Sequence, residues 1–212
     1  MTPPLFIKIC GQTHTPAVDT ALAYGAHFIG FIFHRGSPRS ITPERAASLR
    51  SRCAKRVGVF VRQGAEEILR IADTARLDLV QLHGRQTIED ARIIDPQRII
   101  RVLWPESCES AAALQDQLDA WAPYCSYYLL DAGSHGQAGG TGRALDVAAY
   151  GTLRFPHPWF LAGGLCAENL PRLLSLCSPD GIDLNSGVEE APGLKSPARI
   201  LAALHAAQRH RG

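Results

Sequence analysis

None of the six cysteines stands in a Cys-x-x-Cys pair, the spacing typical of small zinc sites and thioredoxin-type redox motifs. No apolar run approaches the ~20 residues that a bilayer-spanning helix needs. The stretch from Met1 to Cys10 lacks a basic segment followed by an apolar one, so no secretory leader is expected. Together these absences point to a reduced, cytoplasmic chain. In such a chain Cys53, Cys108, Cys125, Cys166 and Cys177 are expected to be small, inert, buried residues. Basic residues form no dense block, and a net charge of +2 gives nucleic acid no electrostatic hold. Lysine is scarce as well: of 22 basic residues only Lys8, Lys55 and Lys195 are lysines.

What is present is an alternation. With 46% hydrophobic and 20% charged residues over 212 positions, the chain can bury about 70% of its unfolded surface without disulfides. Short β-rich runs fall at 5–10, 28–33, 56–61, 79–82, 99–104, 126–131, 159–162 and 181–184. Between and after them lie helical patterns at 16–24, 43–53, 65–75, 87–94, 111–121, 144–151, 168–176 and 197–208. Thr15, Thr42 and Ser196 each precede a proline and are expected to cap helices. The strand runs are nearly continuous in apolar residues, as parallel strands buried on both faces should be. A doubly wound open sheet needs only five or six such units, so it is the weaker alternative. Eight units without a Pro/Ser-rich linker predict a single (β/α)8 barrel over residues 1–212.

In a barrel the active face is built where strands end, and polar or flexible residues collect there. Glycines after strands 7 and 8 suit phosphate, since backbone N–H groups can approach it closely at Gly163 and Gly164. Asn185, Ser186 and Gly187 could add donors, and the glycine-rich 139–142 loop could close over the ligand. Lys8 and Cys10 share a strand face, so the ammonium could favour a thiolate able to act as base or nucleophile. Asp131 is the sole charge of an apolar run and reads as a structural cap or as an acid/base. Arg39 is a candidate fork for a carboxylate. His83 could be polar lining that meets the substrate or a catalytic group; no second histidine or carboxylate is expected beside it, which argues against a metal.

These pieces occur in order: Lys8-Ile9-Cys10-Gly11-Gln12-Thr13, Ser37-Pro38-Arg39, Gln81-Leu82-His83-Gly84, Leu130-Asp131 and Gly139-Gly140-Thr141-Gly142. Leu161-Ala162-Gly163-Gly164-Leu165, Asp183-Leu184-Asn185-Ser186-Gly187-Val188-Glu189 and Pro192-Gly193-Leu194-Lys195 follow. The set resembles phosphoribosylanthranilate isomerases of tryptophan biosynthesis over essentially the whole chain. The resemblance implies an Amadori rearrangement in a (β/α)8 barrel without metal or cofactor. Its substrate would be N-(5-phospho-β-D-ribosyl)anthranilate and its product 1-(2-carboxyphenylamino)-1-deoxyribulose 5-phosphate. Asp131 would then protonate the ring oxygen, Cys10 would remove the C2 proton, and Arg39 would hold the anthranilate carboxylate. Gly140, Thr141, Gly142, Gly163, Gly164, Ser186 and Gly187 would receive the phosphate.

Two departures from the family pattern touch ligand contacts more than chemistry. Leu145-Asp146-Val147 stands where an aromatic followed by Asp-Trp is usual, and Asn185-Ser186 where Ser-Ser is frequent. A histidine-pathway isomerase would carry aspartate at position 10, and ribulose-phosphate epimerase would need paired His and Asp metal ligands. A non-catalytic sugar-phosphate binder remains the alternative from another class if Cys10 or Asp131 points away from the cavity. Beyond the phosphorylated substrate no nucleic-acid or membrane partner is expected, and a monomer is favoured.

Overall fold

A strand that is apolar at every position must be covered on both faces, and a closed sheet wrapped in helices achieves this. The computed structural model describes residues 4–51, 53–132 and 147–211. It contains β1 (Phe6–Ile9), β2 (Phe28–Ile32), β3 (Lys55–Phe60), β4 (Leu79–Leu82), β5 (Ile99–Leu103), β6 (Tyr127–Asp131), β7 (Trp159–Ala162) and β8 (Gly181–Leu184). All eight pair in parallel and in chain order, and β8 returns to β1 to close the barrel. Around it lie α1 (Thr15–Ala23), α2 (Pro43–Ser48), α3 (Ala65–Ala75), α4 (Ile88–Ile93), α5 (Ala111–Trp121), α6 (Leu170–Leu176) and α7 (Pro197–Arg211).

Alternate strand residues separate two cores. Phe28, Val57, Leu79, Ile100, Val102, Leu129 and Phe160 fill the lumen with Phe6 and Tyr127. Their neighbours Ile7, Ile29, Phe31, Val80, Leu82, Leu130, Leu161 and Ile182 pack outward against the helices. Each such side chain taken fully out of water contributes about 1.5–3 kcal/mol. The lumen changes character along its axis. Read at every second residue, Phe6-Lys8-Cys10, Leu79-Gln81-His83, Tyr127-Leu129-Asp131 and Gly181-Asp183-Asn185 run from apolar or small to polar. Polarity therefore gathers at the C-terminal end of the strands.

The structure departs from the sequence expectations at several elements. The second helix was expected to reach residue 53 but ends at Ser48, because Leu49 leaves the helix extended and gives its carbonyl to Arg56. Thr15 lies inside α1, whose cap position is His14 with no side-chain cap bond. Thr42 does cap α2 by accepting from the Arg45 N–H, and Ser196 accepts from Arg199 at the start of α7. In place of a helix at 144–151 the described part is a 3₁₀ segment, Val147–Thr152, ending in glycine and threonine, both poor helix formers. The sequence also gave no sign of a small antiparallel hairpin after β8, formed by β9 (Glu189–Ala191) and β10 (Leu194–Lys195). Cys53 is exposed, and Cys108 and Cys166 are half-buried, because all three sit in turns or loops; only Cys10, Cys125 and Cys177 are buried.

Candidate active site

Lys8 and Asp183 are register partners on β1 and β8. Both point into the lumen, where the ammonium donates to Asp183 Oδ2 at 2.7 Å. The lysine is fully buried and the aspartate nearly so. Asp183 Oδ1 has no hydrogen-bond partner among the described residues. One layer higher, Cys10 is 3% exposed, fixed by its N–H on the Leu184 carbonyl at 2.8 Å. Its thiol fits because β2 places Gly30 beside it. A Cβ on Gly30 would lie 2.7 Å from Cys10 Sγ.

Burial pushes the Cys10 thiol above its ordinary value; Lys8 and Lys195 pull it down and Asp183 adds to the rise. The net direction is upward, so the ammonium of Lys8 moderates the thiol without making it a resting thiolate. Lys8 itself is raised: burial opposes its charge, and Asp183 and Cys10 outweigh burial.

On the opposite wall, Asp131 ends β6 with its side chain 21% exposed, open enough to meet a ligand. His83 Nε2 lies 3.7 Å from Asp131 Oδ2. This corrects the expectation that no carboxylate stands beside His83. Gln81, from the same face of β4, places its amide nitrogen 3.1 Å from His83 Nδ1. With the amide in that orientation Nδ1 accepts, so Nε2 carries the proton and faces the carboxylate. Among the described residues no group of three or more His, Cys, Asp or Glu side chains could hold a metal ion.

Arg39, in the loop after β2, grips Glu189 in a side-on fork: Nε to Oε1 at 2.8 Å and Nη2 to Oε2 at 2.6 Å. Lys195 meets the same carboxylate at 2.6 Å. Its other bonds go to the Asn185 carbonyl and side-chain oxygen, at 2.8 and 2.7 Å. Asn185 is thus tied to the Arg39 side of the mouth. Ser186 and Gly187 open a 3₁₀ turn against the β7 loop, where a Cβ on Gly187 would lie 2.0 Å from the Leu165 carbonyl oxygen. Gly163 and Gly164 in that loop adopt φ of 103° and 63°, a region costly for other residues. Gly140, Thr141 and Gly142 lie outside the described residues.

The structure therefore brings Cys10, Asp131, Arg39, His83, Gly163, Gly164, Asn185, Ser186 and Gly187 to one end of the barrel. It adds Gln81, Asp183, Glu189 and Lys195, which stand in the motifs read from the sequence but are given no role there. A usable signal existed for one of them. In a chain that nearly always chooses arginine, two of the three lysines are buried at this mouth.

A family model described as N-(5'phosphoribosyl)anthranilate (PRA) isomerase matches residues 7–206. The N-(5'-phosphoribosyl)anthranilate isomerase of Desulfovibrio desulfuricans is 51% identical over 208 residues, covering 98% of each chain. The crystal structure of phosphoribosyl anthranilate isomerase from Thermotoga maritima matches with a TM-score of 0.84 and 29% identity, over 97% of this chain and 100% of that one. A phosphoribosyl anthranilate isomerase in complex with reduced 1-(o-carboxyphenylamino)-1-deoxyribulose 5-phosphate matches with a TM-score of 0.79 and 28% identity, over 97% and 100% of the two chains.

Proposed function

The chain belongs to the N-(5'-phosphoribosyl)anthranilate isomerase family, and from that membership we propose how its barrel mouth divides the work of the reaction. The activity is the Amadori rearrangement of phosphoribosylanthranilate in tryptophan biosynthesis, an aldose–ketose isomerisation of a phosphorylated small molecule. In our reading Asp131 donates a proton to the furanose ring oxygen as the C1–O bond breaks, leaving a protonated Schiff base. Cys10 then takes the C2 proton, giving an enolamine that tautomerises to the ketone. The observation that carries this assignment is the placement of Cys10 directly after β1 and Asp131 at the end of β6, three strands apart around one end of a closed barrel. A buried thiol is a poor base at rest, but the ring-opened substrate brings a cationic nitrogen beside it, and a nearby positive charge favours the thiolate. Lys8 supplies the same help from below.

Arg39 receives the anthranilate carboxylate, and His83 lines the aromatic end beside Asp131. The phosphate lies between Gly163–Gly164 and Ser186–Gly187. Residues 1–212 form one barrel domain that acts in the cytoplasm. No helix among the described residues is long and apolar enough to cross a membrane. We propose a monomer; among the described residues the exposed large apolar side chains are Tyr24, Ile93, Leu176 and Leu194, at four separate points of the chain.

Mutant kinetics test the division of labour. Cys10→Ala and Asp131→Asn should each lower kcat by about 10²–10⁴-fold with little change in KM. With substrate deuterated at C2, slow ring opening in Asp131→Asn should suppress the isotope effect shown by the parent. Near-full turnover by Cys10→Ala would reduce Cys10 to a packed thiol.

A further inference from the structure

The fork between Arg39 and Glu189 uses only one edge of the guanidinium. Nε and Nη2 are spent on the carboxylate, while Nη1 makes no hydrogen bond among the described residues. The end-on edge, Nη1 with the second hydrogen of Nη2, is left for another planar anion. Glu189 is nearly buried and belongs to the β9–β10 hairpin, whose backbone also braces the Arg39 loop. Gly193 at its turn (φ 85°) is packed so closely that a Cβ there would lie 2.5 Å from the Pro38 carbonyl oxygen. The Gly193 carbonyl accepts from Thr13 Oγ1, and Arg199 of α7 donates to the Glu189 carbonyl. From below, Gly11 sets the floor: a Cβ on it would lie 3.0 Å from Arg39 Cδ and 3.3 Å from Lys195 Nζ.

We infer that Glu189, with its charge offset by Lys195, is a positioning residue that aims the free edge of Arg39 at the substrate's ring carboxylate. The inference rests on Arg39 being the residue that takes that carboxylate. One carboxylate between two cations leaves a single net positive charge, matched to one anionic group. Arginine is long and loses rotamer freedom when fixed; the Glu189 fork fixes it before the ligand arrives. Without Glu189, Arg39 and Lys195 are two neighbouring cations and repel.

The test compares affinities for the reduced product analogue and for its carboxamide counterpart, together with kcat and KM. Glu189→Gln and Lys195→Met, although opposite in charge, should both cut the preference for the carboxylate by about tenfold. For Glu189→Gln, which is not among the charges acting on the Cys10 thiol, KM should rise while kcat changes by less than about threefold. A simple field effect predicts the opposite for Glu189→Gln, namely tighter binding of the carboxylate, and that result would overturn the proposal. General loosening would weaken both ligands equally and also count against it. Gly193→Ala presses on the Pro38 carbonyl without altering any charge and should reproduce the selective loss; an unchanged preference would count against the hairpin. Arg39→Ala separates the two readings. If it keeps the preference, Arg39 is not the carboxylate ligand. If it loses the preference while Glu189→Gln keeps it, only the positioning role fails.

Discussion

At the scale of single residues the mouth of this barrel depends on what is missing as much as on what is there. Gly30 has no side chain, and the Cys10 thiol occupies the vacated volume. Gly30→Ala should therefore push the thiol off its position, costing about 1–3 kcal/mol for overpacking. A displacement of that kind near the reacting atoms should lower kcat by at least about tenfold. Gly151→Ala is the control, because nothing lies within 4 Å of its added Cβ. Turnover and thermal midpoint measured together check both, and a fully active Gly30→Ala would show that the exact thiol position is unimportant. The pairing of Lys8 with Cys10 was legible in the sequence because strand parity fixes which side chains share a face. The partner of Arg39 was not, because Glu189 stands 150 positions away and only the closing of the ring brings them together.

At the scale of elements, strands were the legible part and connections were not. Four-residue runs bounded by turn formers identify β4, β7 and β8, wholly apolar in β7 and interrupted by Gln81 in β4 and Asp183 in β8, and their bounds agree with the runs read from the sequence. Helix ends depended on tertiary partners. Arg56, buried on β3, donates to the carbonyls of Ala46, Leu49 and Ala75 at 2.6 to 3.2 Å, reaching the C-terminal turns of both α2 and α3. A cation at helix C-termini also suits the negative ends of their dipoles. Nothing local marks this arginine among the many others, so the early end of α2 could not be foreseen. The β9–β10 hairpin escaped for a related reason: strands of three and two residues are too short to show a period. Arg56→Met keeps the apolar stem and takes the guanidinium from three carbonyls, of which Ala46 still accepts from the Leu49 N–H at 3.1 Å. Each buried unsatisfied group costs about 1–3 kcal/mol, so a loss of at least about 2 kcal/mol is expected from urea unfolding. A loss below about 1 kcal/mol would mean that water replaces the guanidinium without cost.

At the scale of the whole molecule, the buried titrating groups set a pH window for folding. Glu189 lies below its usual value: burial pushes it up, but hydrogen bonds from Arg39 and Lys195 outweigh that. Its contribution is full above the unfolded value of 4.5 and is lost as pH falls through the depressed folded value. The alkaline edge is set by thiols. Burial pushes Cys125 up to about 12 and Cys177 up to about 11, against 9.0 for an unburied thiol. Between those values the unfolded chain has released its protons and the folded chain has kept them, so rising pH favours unfolding. Each thiol adds up to about 1.4 kcal/mol per pH unit in its window. Burial also raises Tyr128, whose hydroxyl donates to the Leu118 carbonyl, and this acts in the same direction at higher pH. Lys8, raised above 10.5, holds its pair with Asp183 throughout this range. Stability should therefore be level from about pH 7 to 8 and fall steeply above about pH 9. Urea midpoints at intervals from pH 7 to 10.5 check the slope. The double variant Cys125→Ala with Cys177→Ala should start lower at pH 7, from two small cavities, and decline less steeply above pH 9. A double variant as steep as the parent would place the alkaline transition on other groups.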